Sequence, residues 1–376
     1  MEAFPVSKTR RPRPIDGWAL SGLIELDEAR PGTLRFVLSA SALRRQAFFI
    51  TSSLLRNGVD EVASRLRPLC ADQPQPSPLA EVASVLATCR VRDIVRALYG
   101  DVEGLVGALG RLGHDPLHPL TYRRLLAILT RPEHRQRSNV LRQVPKITSS
   151  TLSVLMALKP PFVLPELVER FHSAGDVLQF EAALALIQNV QHRLTDRDLV
   201  QSIKALGPHA DLGSWVSRMV GKASRFPVQP PIHGDPEFEW LSSADALRRA
   251  GRKFNNCLES KIPLCALGRV AYLEFKPSPA VVSLESLSGG HFLLDGIFGV
   301  ENARVEGEVA NTIRRKLEDA GILLPARLAH GQPYNSVAKM IGFYDFERHL
   351  QALEDWADGP DLQAEIERVA CEFAMA

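Results

Sequence analysis

Before residue 226, apolar positions recur at three- and four-residue intervals, the spacing of amphipathic helices. Residues 41–69 read as two short helices separated by Asn57-Gly58. Leu43, Phe48, Ile50, Leu54 and Leu55 line one side of the first, and Val62, Leu66 and Leu69 line the second. The same spacing predicts helices over about 80–99, 101–112, 119–130, 148–158, 163–173, 176–190, 196–206 and 211–223. From 148 onward the helices alternate with Gly, Pro or Asp turns, which suits a solenoid-like stack and an irregular bundle equally. Near the start, Trp18–Glu25 and Thr33–Leu38 read as a small hairpin or as loops leaning on the helices.

Proline interrupts the pattern at Asp72–Pro78, Lys159–Pro165 and Phe226–Pro236. The last, FPVQPPIHGDP, can neither continue a helix nor enter a central strand, so a linker is expected at 226–237. Beyond it the period changes. Residues 242–260 predict a helix capped by Ser242, with an apolar stripe of Leu247, Phe254, Cys257 and Leu258. Arg269–Phe275, Ala280–Glu285 and His291–Phe298 alternate in polarity as strands do, and the Gly/Ser turn Ser286–Gly290 joins the last two as a hairpin. A helix over Ala303–Ala320 follows, stopped by Gly321. The expected fold is α+β and mainly α: a basic all-helical domain (1–225), a Pro-rich linker (226–237), an α-β-β-β-α module with an antiparallel sheet (238–325) and an acidic helical tail (326–376).

With 376 residues, 45% hydrophobic and 23% charged, the chain supports two or three domains and is neither disordered nor fibrous. No long apolar run implies a membrane span or a secretory signal, so a cytoplasmic protein is expected. Cys70, Cys89, Cys257, Cys265 and Cys371 form an odd, scattered set without CxxC, as reduced thiols do. The net charge of +2 conceals a division: residues 1–225 hold 30 Lys+Arg against 21 Asp+Glu, and residues 226–376 hold 15 against 22. The basic part is the candidate for DNA or RNA, while the acidic C-terminal helices are a candidate protein-binding surface; attraction between the two parts is the plainer alternative.

Seven basic residues (Arg123, Arg124, Arg131, Arg135, Arg137, Arg142 and Lys146) lie between 123 and 146 against one acid, Glu133. Such density suits phosphate neutralisation, and Lys8, Arg10, Arg11 and Arg13 would add an arm. Only Tyr122 is an aromatic neighbour in sequence, so backbone contact would dominate over base stacking. The competing reading is a solvated helical face.

In the hairpin, pairing Glu285 with His291 would set Ser283 opposite Leu293 and Val281 opposite Asp295. One face, with Ala280, Val282, Leu284, Phe292, Leu294 and Phe298, would enter the core. The other would show Ser283, Glu285, His291 and Asp295, as a solvated outer face or as a general acid/base set. Cys257 follows four basic residues (Arg248, Arg249, Arg252, Lys253) and could join His291 and a carboxylate in acyl-transfer chemistry. Its place on the apolar stripe, near a helix C-terminus, favours instead a buried, inert thiol. No phosphate-loop, dinucleotide, zinc-protease or EF-hand motif occurs, and His114 and His118 are parted by Asp115-Pro116; neither a cofactor nor a metal is expected.

The run Ala250-Gly251-Arg252-Lys253-Phe254-Asn255-Asn256-Cys257-Leu258, then Gly268 and the strand Val270–Phe275, Ser283-Leu284-Glu285, and Gly299-Val300-Glu301-Asn302, resembles the core pattern of PcfJ-like proteins of conjugative plasmids and phages. The resemblance covers residues 242–322, with Asn256 where that family carries His. It implies a mobile-element or phage-conflict setting, and it would place a functional centre at Cys257, Glu285, Gly299 and Asn302. Asn302 is otherwise an ordinary cap for the helix at Ala303. Three functions are therefore open: a nucleic-acid-binding adaptor, a cysteine-dependent hydrolase or transferase using Cys257, Glu285, His291 and Asn302, and a protein-binding scaffold.

Overall fold

The computed structural model describes residues 12–325 except 57, 70–75 and 208–209. The expected acidic tail, Lys8, Arg10, Arg11, Cys70 and Cys371 lie outside the described residues. Within them the fold is α+β and mainly α, with seventeen α-helices and one four-stranded antiparallel sheet. No helix among the described residues is long and apolar enough to cross a membrane. The chain divides into two compact units, Met1–Gln188 with Arg193–Ser214, and Asn189–His192 with Trp215–Ala376.

The first unit begins with α1 (Gly17–Ala29) and α2 (Thr33–Ser39). These replace the hairpin or loops expected there. Ala19, Leu23 and Leu26 give α1 a buried face, and the turn closes because Asp27 accepts from Gly32 N (3.0 Å) and Leu34 N (2.8 Å). α3 (Ala42–Leu55), α4 (Val59–Leu66), α5 (Pro78–Thr88), α6 (Val91–Tyr99), α7 (Leu105–Arg111), α8 (Pro119–Thr130) and α9 (Arg135–Gln143) follow, then α10 (Ser149–Ala157), α11 (Pro165–Val168), α12 (Ala174–Val190) and α13 (Asp196–Lys204).

Helix starts carry oxygen caps: Ser41, Ser77, Thr148 and Thr195 each accept a backbone N–H of the first turn. Many ends are closed by arginine. Arg44 donates to Leu86 O and Cys89 O at the end of α5, and Arg65 to Leu98 O at the end of α6. Arg111 donates to Leu141 O, Arg142 O and Val144 O at the end of α9. A cation there satisfies carbonyls that the helix leaves free and meets the negative end of its dipole.

α3 is the axis of this unit. Arg45 through Ser52 are all buried, so the helix is enclosed all round and not amphipathic as its spacing suggests. Arg45, with no exposed surface, donates to the carbonyls of His114 (2.8 Å), Arg13 (3.1 Å), Pro14 (3.2 Å) and Leu38 (3.4 Å). Gln46 donates to Gly113 O and Asp115 O and accepts from the Tyr122 hydroxyl at 2.7 Å.

The second unit contains α14 (Leu212–Val220), β1 (Phe238–Trp240), α15 (Ala244–Phe254), α16 (Ile262–Ala266), β2 (Val270–Phe275), β3 (Ala280–Ser286), β4 (Phe292–Phe298) and α17 (Gly307–Asp319), with α14 beginning in the last residues of the first. The strands run in sheet order β1-β2-β3-β4, all antiparallel. One face, with Ala271, Leu273, Val282, Leu284 and Leu294, packs with Ile313 and Leu317 of α17. The Pro-rich stretch belongs to this unit: Phe226 is buried and Val228 and Ile232 pack on the same core. Lys316 of α17 holds Asp235 (2.9 Å) and Glu237 (2.8 Å).

The hairpin register differs from the expected one. Glu285 pairs with Leu293 and Ser283 with Gly296, and a β-bulge leaves Asp295 between the paired positions. Beyond the bulge the alternation inverts, so Ile297 rather than Phe298 packs on the core. A Cβ at Gly296 would sit 2.5 Å from the Phe298 ring, so any other residue there would push that ring aside.

Candidate functional site

α15 ends earlier than its stripe predicts. Asn255 takes a left-handed conformation (φ 48°) as C-cap, and Asn256, extended, caps a new 3-10 turn at Cys257–Lys261 by accepting from Leu258 N. Cys257 therefore opens a turn instead of closing a helix, and it is exposed, not buried as its place on the stripe suggests. Its thiol has no hydrogen-bond partner among the described residues, His291 and Glu285 included.

His291 lies before β4, exposed, in the turn closed by Leu287 N donating to His291 O (2.8 Å). It is not the cross-strand partner of Glu285, which is exposed on β3. Asn302 is not the cap of α17 either, since that helix begins at Gly307 with Glu306 before it. Glu301 (φ 58°) and Asn302 (φ 57°) are left-handed and form a tight loop in which Gly299 N donates to Ala303 O (2.8 Å). Asn255 Nδ2 donates to Glu301 Oε1 at 3.0 Å, so the loop bearing Cys257 and the loop bearing Asn302 are tied together.

The sheet face expected to be solvated is closed at its centre. Tyr272 and Ser283 are paired across β2 and β3, 7% and 2% exposed, and α16 packs against β2. The Tyr272 hydroxyl lies close to Ser283, and Ser283 Oγ donates to Asp295 Oδ2 at 2.9 Å. Burial pushes Tyr272 up to about 12; the Ser283 hydroxyl opposes the rise, and the nearby Cys265, Asp295 and Cys257 add to it. Burial likewise pushes the Cys265 thiol up to about 12. The bulge turns the exposed Asp295 towards Ser283 and gives this buried chain its outlet to water. Tyr272 carries no signal in the sequence, because it is one aromatic in a strand of alternating polarity, VAYLEF, and its partner Ser283 stands on another strand.

The basic cluster divides by use. Arg137 is internal: it donates to Leu155 O (2.6 Å) and Leu158 O (2.7 Å), closing the end of α10. Arg142 pairs with Glu103 (2.5 Å), Arg131 with Glu133 (3.9 Å), and Arg124 donates to Ser153 Oγ (3.1 Å). Arg123, Arg135 and Lys146 are exposed and have no partner among the described residues. An arginine pair outside the sequence-based set, Arg92 and Arg96, is exposed one turn apart on α6. Its i, i+4 spacing was the signal.

No groups of His, Cys, Asp and Glu suited to a metal ion occur among the described residues. No protein-family model, no curated protein and no solved structure matches this chain.

Proposed function

We propose that this protein is a nucleic-acid-binding adaptor that grips the phosphate backbone through the surface of α8, the segment after it and α9. One observation carries the reading. In a unit that uses Arg44, Arg45, Arg65, Arg111 and Arg137 to close helix ends and loops, Arg123, Arg135 and Lys146 are left exposed with no structural task among the described residues. Arg131 and Arg142 are held only by exposed carboxylates, contacts weak enough for a phosphate to replace. The resemblance of residues 242–322 to PcfJ-like proteins adds the setting, a mobile element or phage-conflict system, with the α/β unit as an accessory or effector part.

The enzyme reading receives less support. A cysteine nucleophile needs a base within hydrogen-bond reach, and none of the described residues stands there beside Cys257.

The test is binding of labelled DNA and RNA across a salt series, comparing the intact protein with an Arg123/Arg135/Lys146→Ala variant. These side chains make no internal bonds, so the variant folds. Affinity should fall steeply with salt, and the variant's log–log slope should be shallower by about 2–3, one unit per lost phosphate contact. Failure of the intact protein to bind either polymer at low salt would overturn the reading.

A further inference from the structure

Phosphate contacts alone do not separate duplex from single strand; exposed stacking surfaces do. Tyr122, the aromatic beside the cluster in sequence, offers none. It is 1% exposed, its hydroxyl donating to Gln46 and accepting from Leu117 N (3.2 Å).

The fold brings a different aromatic to the same place. Trp18, in the first turn of α1, meets the Tyr122 ring edge-on, with centroids 6.4 Å apart and planes at 74°. Trp18 is half-buried, so its body is fixed while part of the indole reaches the surface. The guanidinium of Arg56, an exposed residue at the end of α3, lies 5.7 Å from its ring centroid. Arg56 has no other partner among the described residues. Through the Tyr122 ring the Trp18–Arg56 pair meets α8 at the turn that also carries Arg123 and Arg124 on its exposed side.

We propose that the ligand of this surface is single-stranded nucleic acid, with an unpaired base stacking on Trp18 while Arg56 and Arg123 take the flanking phosphates. The proposal rests on the nucleic-acid reading above and names its substrate class. An indole anchored by Tyr122 loses little freedom when a base stacks on it. The exposed cation–π contact with Arg56 is weak, so the guanidinium can shift to a phosphate as the base arrives. Duplex bases are already stacked and present no face to the indole.

The experiment compares a short labelled thymidine oligomer with a duplex of equal length at one salt concentration. The oligomer should bind more tightly. Trp18→Leu should lower oligomer affinity about ten-fold, the loss of one stacked base, and leave duplex affinity unchanged. Trp18→Phe should restore most of the loss, whereas Arg123→Ala should weaken both ligands. Should Trp18→Leu fail to fold, the readout is tryptophan fluorescence: the oligomer should quench the intact protein and quench Trp18→Phe much less. Equal affinity for oligomer and duplex, or equal quenching of both proteins, overturns the single-strand proposal and leaves the backbone-binding reading standing. Binding of neither ligand removes both.

Discussion

Both units bury polar side chains, and the partners of those side chains differ in kind. In the first unit, Arg45 and Gln46 on α3 answer backbone carbonyls of segments outside their own helix, nearby at residue 38 and far away in sequence at 13–14 and 113–115. In the second, Tyr272, Ser283 and Asp295 answer one another, side chain to side chain, across three strands whose backbone bonds are already made by the ladder. The first arrangement is part of how the chain closes. The second adds nothing that the ladder needs, and it runs from the interior to a carboxylate in water.

The largest expected effect lies in the first unit. Arg45→Met fills similar volume but strands several partly buried carbonyls at once, and leaving such groups unpaired should cost about 2–3 kcal/mol. Denaturant unfolding of the first unit measures this. A loss below about 1 kcal/mol would mean that water replaces the guanidinium, and the contrast between the units would collapse.

The second unit should respond less and in a diagnostic pattern. Ser283→Ala leaves the Tyr272 hydroxyl buried without its partner and should cost about 1–3 kcal/mol. Tyr272→Phe removes that hydroxyl and leaves Ser283 its bond to Asp295, at a cost of about 1 kcal/mol. The double variant should be no less stable than Ser283→Ala alone, because the stranded group is gone. Additive losses would show that the chain is not coupled.

The same contrast explains how much was legible in the sequence. Apolar periodicity located α4, α8, α12 and three of the four strands, since those elements have one face in the core and one in water. It failed where burial is not one-sided. It located α3 but gave it one apolar side, with Leu43, Phe48, Ile50, Leu54 and Leu55, where the helix is enclosed from Arg45 to Ser52. α9, RQRSNVLRQ, is so polar that only Val140 and Leu141 mark its inner face, and its arginines read as a cluster instead of a helix. β1, three residues long, leaves no pattern to detect. In the candidate site, the residue types were visible but their meeting was not. The stop at Asn255 and the bulge at Asp295 are single-residue backbone events that re-aim side chains C-terminal to them: Cys257 passes from buried to exposed while Leu258 stays inside, and Phe298 leaves the core.

The smallest effect expected is on pH dependence, and it sharpens the comparison at the helix starts. In the first unit Asp176 accepts from the His172 N–H and the Ser173 hydroxyl, Asp198 from the Thr195 hydroxyl and N–H, and Asp211 from the Ser214 N–H, and those bonds hold each carboxyl below the usual range. Asp235 in the second unit is lowered by Lys316 and by the Glu237 N–H. A carboxylate with a folded pKa below its unfolded value near about 3.9 stabilises the fold fully above that pH and loses the contribution as pH falls through the folded value. Stability should therefore be flat from neutral pH down to about 5 and fall below about 4. In an Asp176→Asn/Asp198→Asn variant the amide oxygen still accepts as a cap but no longer titrates. Denaturant midpoints between about pH 5 and about 2.5 should then decline less steeply than in the parent protein. An unchanged decline would assign the acid sensitivity to other carboxylates, with Asp235 and its lysine the next to replace, and would make the second unit the first to open.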